Sequence, residues 1–101
     1  MKYEVVVTPE AEKDLKEIFD WYESHRIGLG HDFLLQVDAG FCLIERNPNL
    51  FAEQYKRVRR YLVKRFPYKI FYRIEGEKVV VLAVVFGGRD PEWIKKRVFE
   101  I

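Results

Sequence analysis

From Val79 to Phe86 the chain reads Val-Val-Val-Leu-Ala-Val-Val-Phe, eight residues without one polar side chain. The run is far shorter than the roughly 20 apolar residues a membrane-spanning helix needs. It is rich in β-branched residues and is bounded by Glu75-Gly76-Glu77 on one side and Gly87-Gly88 on the other. Such a run is a strand, and a strand with no polar face is a central one, buried on both sides.

The segments around it supply the cover. Lys2 to Val7 reads as a first strand. Thr8-Pro9-Glu10 then opens a helix: Thr8 can cap free amides, Pro9 suits the first helical position, and Glu10 favours the positive end of the dipole. Ala11, Leu15, Ile18, Phe19 and Tyr22 follow at helical spacing, and Gly28 and Gly30 end the helix near Ser24 to Ile27. A second helix from about His31 to Arg46 carries Phe33, Leu34, Val37, Phe41 and Ile44 on its apolar face and stops at Asn47-Pro48-Asn49. The acidic residues of this hairpin fall mostly on its outer face; Glu10, Glu12, Asp14, Glu17 and Asp20 read as the wet side of an amphipathic helix.

Beyond residue 54 the pattern changes to strands, Val58 to Phe66, Tyr68 to Ile74 and Lys78 to Phe86. In the middle one Tyr68, Ile70, Tyr72 and Ile74 share one face, while Lys69, Phe71 and Arg73 share the other. Asp90-Pro91-Glu92 starts a short terminal helix with Trp93, Ile94 and Arg97. The expectation is an α+β fold in one domain over residues 1–101, in the order β-α-α-β-β-β-α. The helical hairpin packs on one face of a twisted, mainly antiparallel sheet. The other face is expected to be concave and partly basic, lined by Arg60, Lys64, Lys69, Arg73 and Arg89.

Charge divides the chain. Residues 1–54 hold five Lys/Arg and eleven Asp/Glu, a net of −6; residues 55–101 hold thirteen and five, a net of +8. That asymmetry fits an acidic or polyanionic partner as well as a merely dipolar, soluble domain. Familiar catalytic signatures are missing: no phosphate loop, no dinucleotide fingerprint, no nucleophile elbow. Ser24 is the only serine, and Cys42, between Phe41 and Leu43, reads as a buried structural thiol. His25, His31 and Asp32 lack the spacing of a zinc site, so neither metal nor cofactor is expected. No run suggests a signal peptide or a membrane span, and the lone cysteine agrees with a reducing, cytoplasmic setting.

What stands out is cationic. Lys56, Arg57, Arg59, Arg60, Lys64, Arg65, Lys69 and Arg73 interleave with Tyr55, Tyr61, Tyr68, Phe71 and Tyr72. Guanidinium groups match phosphate oxygens in paired hydrogen bonds, and rings stack on unpaired bases. An acidic peptide suits the same surface, and strand tyrosines and lysines are also ordinary core and edge residues.

Phe66-Pro67-Tyr68-Lys69-Ile70-Phe71-Tyr72, the valine-rich strand, Arg89-Asp90-Pro91 and Trp93 follow one another in an order that resembles the RelE/ParE toxin superfamily, its ParE branch above all. Thr8-Pro9-Glu10-Ala11 and the Asn47-Pro48 stop extend the likeness over essentially the whole chain. The resemblance implies a toxin encoded with an antitoxin whose acidic, flexible tail folds on it, as part of a homodimer or a heterotetramer. ParE-like members, known for plasmid stabilisation, inhibit DNA gyrase; RelE-like members cleave mRNA on the ribosome. A nuclease of that kind would use Arg60, Lys69 and Arg89, but Leu62 stands where a further lysine is expected and Lys95 where a tyrosine is. This favours a gyrase-binding toxin, or a degenerate antitoxin-binding homologue, over a ribonuclease. The residues expected to meet target or antitoxin are Arg57, Arg59, Arg60, Lys64, Lys69, Arg73, Arg89 and Trp93.

Overall fold

The computed structural model describes residues 3–99, and Lys2, placed by its sequence in the first strand, lies outside them. The order is β1 (Glu4–Val7), α1 (Pro9–His25), α2 (Leu29–Arg46), a 3-10 turn (Pro48–Leu50), β2 (Glu53–Tyr55), β3 (Val58–Leu62), β4 (Tyr68–Glu75), β5 (Lys78–Phe86) and α3 (Pro91–Val98). One five-stranded sheet runs β1-β5-β4-β3-β2. Only the β1–β5 pair is parallel. The expected α+β order holds, with one short strand added.

β5 is buried on both faces over most of its length. One face lies under the helical hairpin: Val79, Val81 and Val84 join Ile70 and Tyr72 of β4, Ala11 of α1 and Phe33, Val37 and Ile44 of α2. The other lies under α3, whose Ile94 and Val98 pack with Val58, Phe71, Leu82, Ala83 and Val85. The alternation of β4 is as its sequence reads. Its partner breaks period: Phe71 pairs with Ala83 and Tyr72 with Val81, so Leu82 is an extra residue, a β-bulge. Leu82 and Ala83 therefore both turn toward α3.

Thr8 makes the first joint. Its Oγ1 accepts from the Ala11 amide at 3.2 Å, capping α1, and donates to the Val81 carbonyl at 2.9 Å. Its own amide reaches the same carbonyl. A single hydroxyl thus ends β1, starts α1 and ties both to the central strand. Tyr72 makes another: its buried hydroxyl donates to the Pro48 carbonyl at 2.6 Å. Burial pushes this phenol up to about 12, with Arg59 opposing the shift.

Four expectations are corrected. β3 ends at Leu62, because Arg65 adopts a positive φ of 69° and Lys64 to Pro67 form a turn. β2 was not foreseen; a tight turn at Lys56 and Arg57, both with positive φ, folds Tyr55 back against Val58. Cys42 is exposed, since on α2 the core side is taken by Val37, Gly40 and Ile44. α2 begins at Leu29, not His31, because Glu23 supplies the cap. Its two carboxylate oxygens accept from the Gly28 and Gly30 amides at 2.9 and 3.0 Å. Gly30 must be glycine there, since a Cβ would lie 2.8 Å from the Phe19 carbonyl oxygen.

These amides, chiefly that of Gly28, hold the Glu23 carboxyl below its ordinary value. A depressed folded pKa stabilises the fold above the unfolded value of 4.5 and is lost as pH falls through the folded value. Chemical denaturation between about pH 6 and 3 should therefore show a fall in stability that Glu23→Gln makes shallower. Identical pH profiles for the two proteins would count against the cap.

Candidate functional site

Paired residues of neighbouring strands project to the same face of a sheet. On the α3 side the rows are Val58 with Arg73, Arg60 with Phe71, and Leu62 with Lys69. α3 covers Phe71 and Val58. Arg60, Leu62, Lys69 and Arg73 remain beside it. Leu62 is 57 % exposed, a bare leucine between Arg60 and Lys69. Arg60 donates to Gln54 Oε1 at 2.6 Å, and Arg73 pairs with Glu75 at 2.6 Å. The surface is apolar at its centre and cationic at its rim, with both of its guanidinium groups, Arg60 and Arg73, already engaged by a neutral and an acidic neighbour.

Three other basic residues sit elsewhere. Arg59 projects to the hairpin side, where its Nη1 donates to the Asn49 and Phe51 carbonyls at 3.2 and 2.7 Å, so it braces the segment after α2. Arg57 stands at the tip of the β2–β3 turn and Lys64 in the turn after β3. Neither joins the Arg60–Leu62–Lys69 row.

Arg89 and Trp93 belong to a second surface. β1 ends at Val7, opposite Val81, so the rest of β5 has no strand partner on that side. A trough of about 550 Å³ follows this open edge, with Glu10, Asp14 and Glu17 of α1 on one wall and Arg89, Trp93 and Arg97 on the other. The Arg89 guanidinium lies 4.0 Å from the Trp93 ring centroid, a cation–π pair. Seating α3 on the sheet falls to Ile94 and Val98, and Trp93 is left 37 % exposed. The trough runs into an apolar hollow formed by Ile18, Trp21, Tyr22, Pro67, Tyr68 and Phe86.

Asp14 is the feature the sequence reading missed. It was placed on the wet side of α1, yet its Oδ2 accepts from the Val84 amide at 2.9 Å and both its oxygens accept from Arg97 at 3.0 and 2.8 Å. Only 15 % of its side chain is exposed. Its spacing held the signal: Asp14 is three residues after Ala11 and four before Ile18, on the inner face of the helix. The carboxylate satisfies a backbone donor on the open edge of β5 and clamps α3 to it. Among the described residues no group of histidine, cysteine and carboxylate side chains could hold a metal, and no helix is long and apolar enough to cross a membrane.

A mixed sheet with β1 parallel to the central strand, a hairpin on one face and a short helix on the other is the fold of solved toxin–antitoxin proteins. The chain superposes with a TM-score of 0.72 on a chain of the chromosomal ParDE system of Pseudomonas aeruginosa, at 19 % identity, covering 81 % of this chain and 92 % of that one. With a chain of the RelBE2 toxin–antitoxin complex of Mycobacterium tuberculosis the TM-score is 0.55, at 20 % identity, covering 85 % and 99 %. In sequence it is 31 % identical over 89 residues to Toxin ParE2 of Mycobacterium tuberculosis, spanning 87 % of this chain and 85 % of that protein. Residues 5–91 match the profile of the ParE toxin of the type II toxin–antitoxin system parDE. The chain belongs to the ParE toxin family.

Proposed function

We propose that this protein is a cytoplasmic toxin that inhibits DNA gyrase by binding it, and that a cognate antitoxin with an acidic, flexible tail neutralises it. The observation that carries the reading is Leu62, 57 % exposed between Arg60 and Lys69. Cleaving RNA by phosphoryl transfer calls for several unengaged donors converging on the developing charge. Here the central position is a leucine, and Arg60 and Arg73 are held by Gln54 and Glu75. An apolar centre with a charged rim is instead the anatomy of a protein-docking surface. The antitoxin tail would set its carboxylates against the cations of β3 and β4 and its apolar side chains in the hollow beside α1, burying Trp21 and Phe86.

The test is induced expression without antitoxin, with purified protein assayed for gyrase supercoiling and for cleavage of ribosome-bound mRNA. The expected result is lost supercoiling with intact mRNA, relieved by the product of the adjacent antitoxin frame. Cleaved mRNA with normal supercoiling would overturn the gyrase reading in favour of the RelE-like one. Neither effect, with antitoxin binding retained, would leave a degenerate, antitoxin-binding homologue.

A further inference from the structure

The outer face of α2 carries a pattern that neither the hairpin nor the sheet uses. Leu35 is 64 % exposed and Leu43 39 %, and Ala39 between them is exposed too. At 3.6 residues per turn these three form one i, i+4 ridge along the helix. Asp32 lies seven residues before Ala39 and Arg46 seven after, on the same side of the helix by the same periodicity. Neither makes an ion pair with any described residue. The face therefore reads Asp, Leu, Ala, Leu, Arg at offsets of −7, −4, 0, +4 and +7 from Ala39: apolar side chains mirror one another and charges are opposite.

We infer that α2 pairs with α2 of a second copy of this chain, antiparallel, about a two-fold axis at Ala39. A two-fold contact needs a surface complementary to itself. Antiparallel pairing sets each Leu35 level with the other copy's Leu43 and each Asp32 level with the other copy's Arg46. The small side chain at the crossing lets the helices approach closely, since a ridge with alanine at its middle leaves room for the facing backbone. Parallel pairing would set Asp32 against Asp32 and Arg46 against Arg46, which the charges oppose. An unrelated partner gives no reason for the symmetry of the pattern about one residue.

The contact is modest in size. The ridge and its flanking charges span about 21 Å of helix at 1.5 Å per residue. One helix on another over that length falls below the roughly 1,200 Å² of a stable interface, so the dissociation constant is expected on the order of 10–100 µM. The dimer forms at high local concentration, leaving the Leu62 face and the β5 trough open because both lie away from the outer face of α2.

The test uses the whole chain with Cys42→Ser, which removes the native thiol. Ala39→Cys in that background should form a disulfide-linked dimer under mild oxidation, because the two copies of residue 39 meet on the axis. Asp38→Cys, exposed one residue away but turned off the ridge, should not. Sedimentation of the otherwise native chain should show a concentration-dependent dimer. Arg46→Asp should weaken it about tenfold, and Asp32→Arg added to Arg46→Asp should restore it. Cross-linking at position 38 equal to that at 39, or a chain that stays monomeric at several hundred micromolar protein, on the scale where so small a contact saturates, would overturn the inference.

Discussion

Asp14→Ala is expected to lower the unfolding free energy by about 3 kcal/mol and the melting temperature by more than about 10 °C. The substitution removes one acceptor from two donors that cannot easily find another. The Val84 amide sits on the open edge of β5, and its bond to Asp14 stands in for a strand partner there. The Arg97 guanidinium, only 22 % exposed, is held by both carboxylate oxygens. Without them a partly buried cation and a partly buried N–H are left with imperfect hydration, and the helix that covers Phe71 and Val85 loses its tie to α1.

Asp14→Asn separates the two contributions. An asparagine oxygen can still accept from Val84 but carries no charge for Arg97, so a loss of about half the alanine value is expected. A double-mutant cycle with Arg97→Met should return a coupling of about 1–2 kcal/mol, larger than an exposed ion pair gives. By contrast the Lys16–Asp20 pair on the outer side of the same helix is 76 % and 57 % exposed, and its removal should be nearly silent. Urea denaturation decides the matter: an Asp14→Ala protein within about 0.5 kcal/mol of the parent means that water replaces the carboxylate at no cost.

The difference between those two carboxylates shows what the sequence carries and what it does not. Periodicity placed the central strand, the hairpin, the faces of β4 and the terminal helix, because each rests on local rules: alternation, helical spacing, Thr8 and Asp90 as caps, glycine and proline as stops. Helical spacing turns Asp14 inward, but no local rule names its partners, which lie 70 and 83 residues away. The bulge at Leu82 was hidden for a related reason, since eight apolar residues in a row carry no alternation to break. β2 is only three residues long and exposed throughout, so it has no burial pattern to betray it. Among the basic residues the sequence could say that Arg59 and Arg60 sit on opposite faces of a strand, but not that the hairpin-side one would spend its guanidinium on two carbonyls. The Arg60–Leu62–Lys69 row, in turn, was legible once strand pairing was fixed, and the open edge of β5 was not, because it depends on how early β1 stops.

Leu62→Glu is expected to weaken inhibition of gyrase about a hundredfold while leaving the fold intact. The side chain is 57 % exposed and projects from β3 beside Lys69, so the folded state contains nothing for a glutamate to clash with, and the new carboxylate has a cation next to it. In a docked complex the same position would be the dry centre of the contact. Burying a carboxylate there without a partner, or pairing it with Lys69 and so withdrawing that cation from the target, costs about 3 kcal/mol, the scale of a hot-spot residue. The rim residues behave differently. Arg60→Ala and Lys69→Ala should each weaken inhibition by several-fold, with the loss shrinking as salt is raised, because exposed charges steer and orient more than they hold. Melting temperatures near that of the parent would show that all three variants are folded. The measurement is the concentration for half-inhibition of supercoiling at two ionic strengths. If Leu62→Glu keeps the parent's potency within about threefold, less than a single ordinary interface contact contributes, the Arg60–Leu62–Lys69 face is not where the target binds. The search would then move to the trough between α1 and α3, where Arg89 stacks on Trp93 beside the open edge of β5.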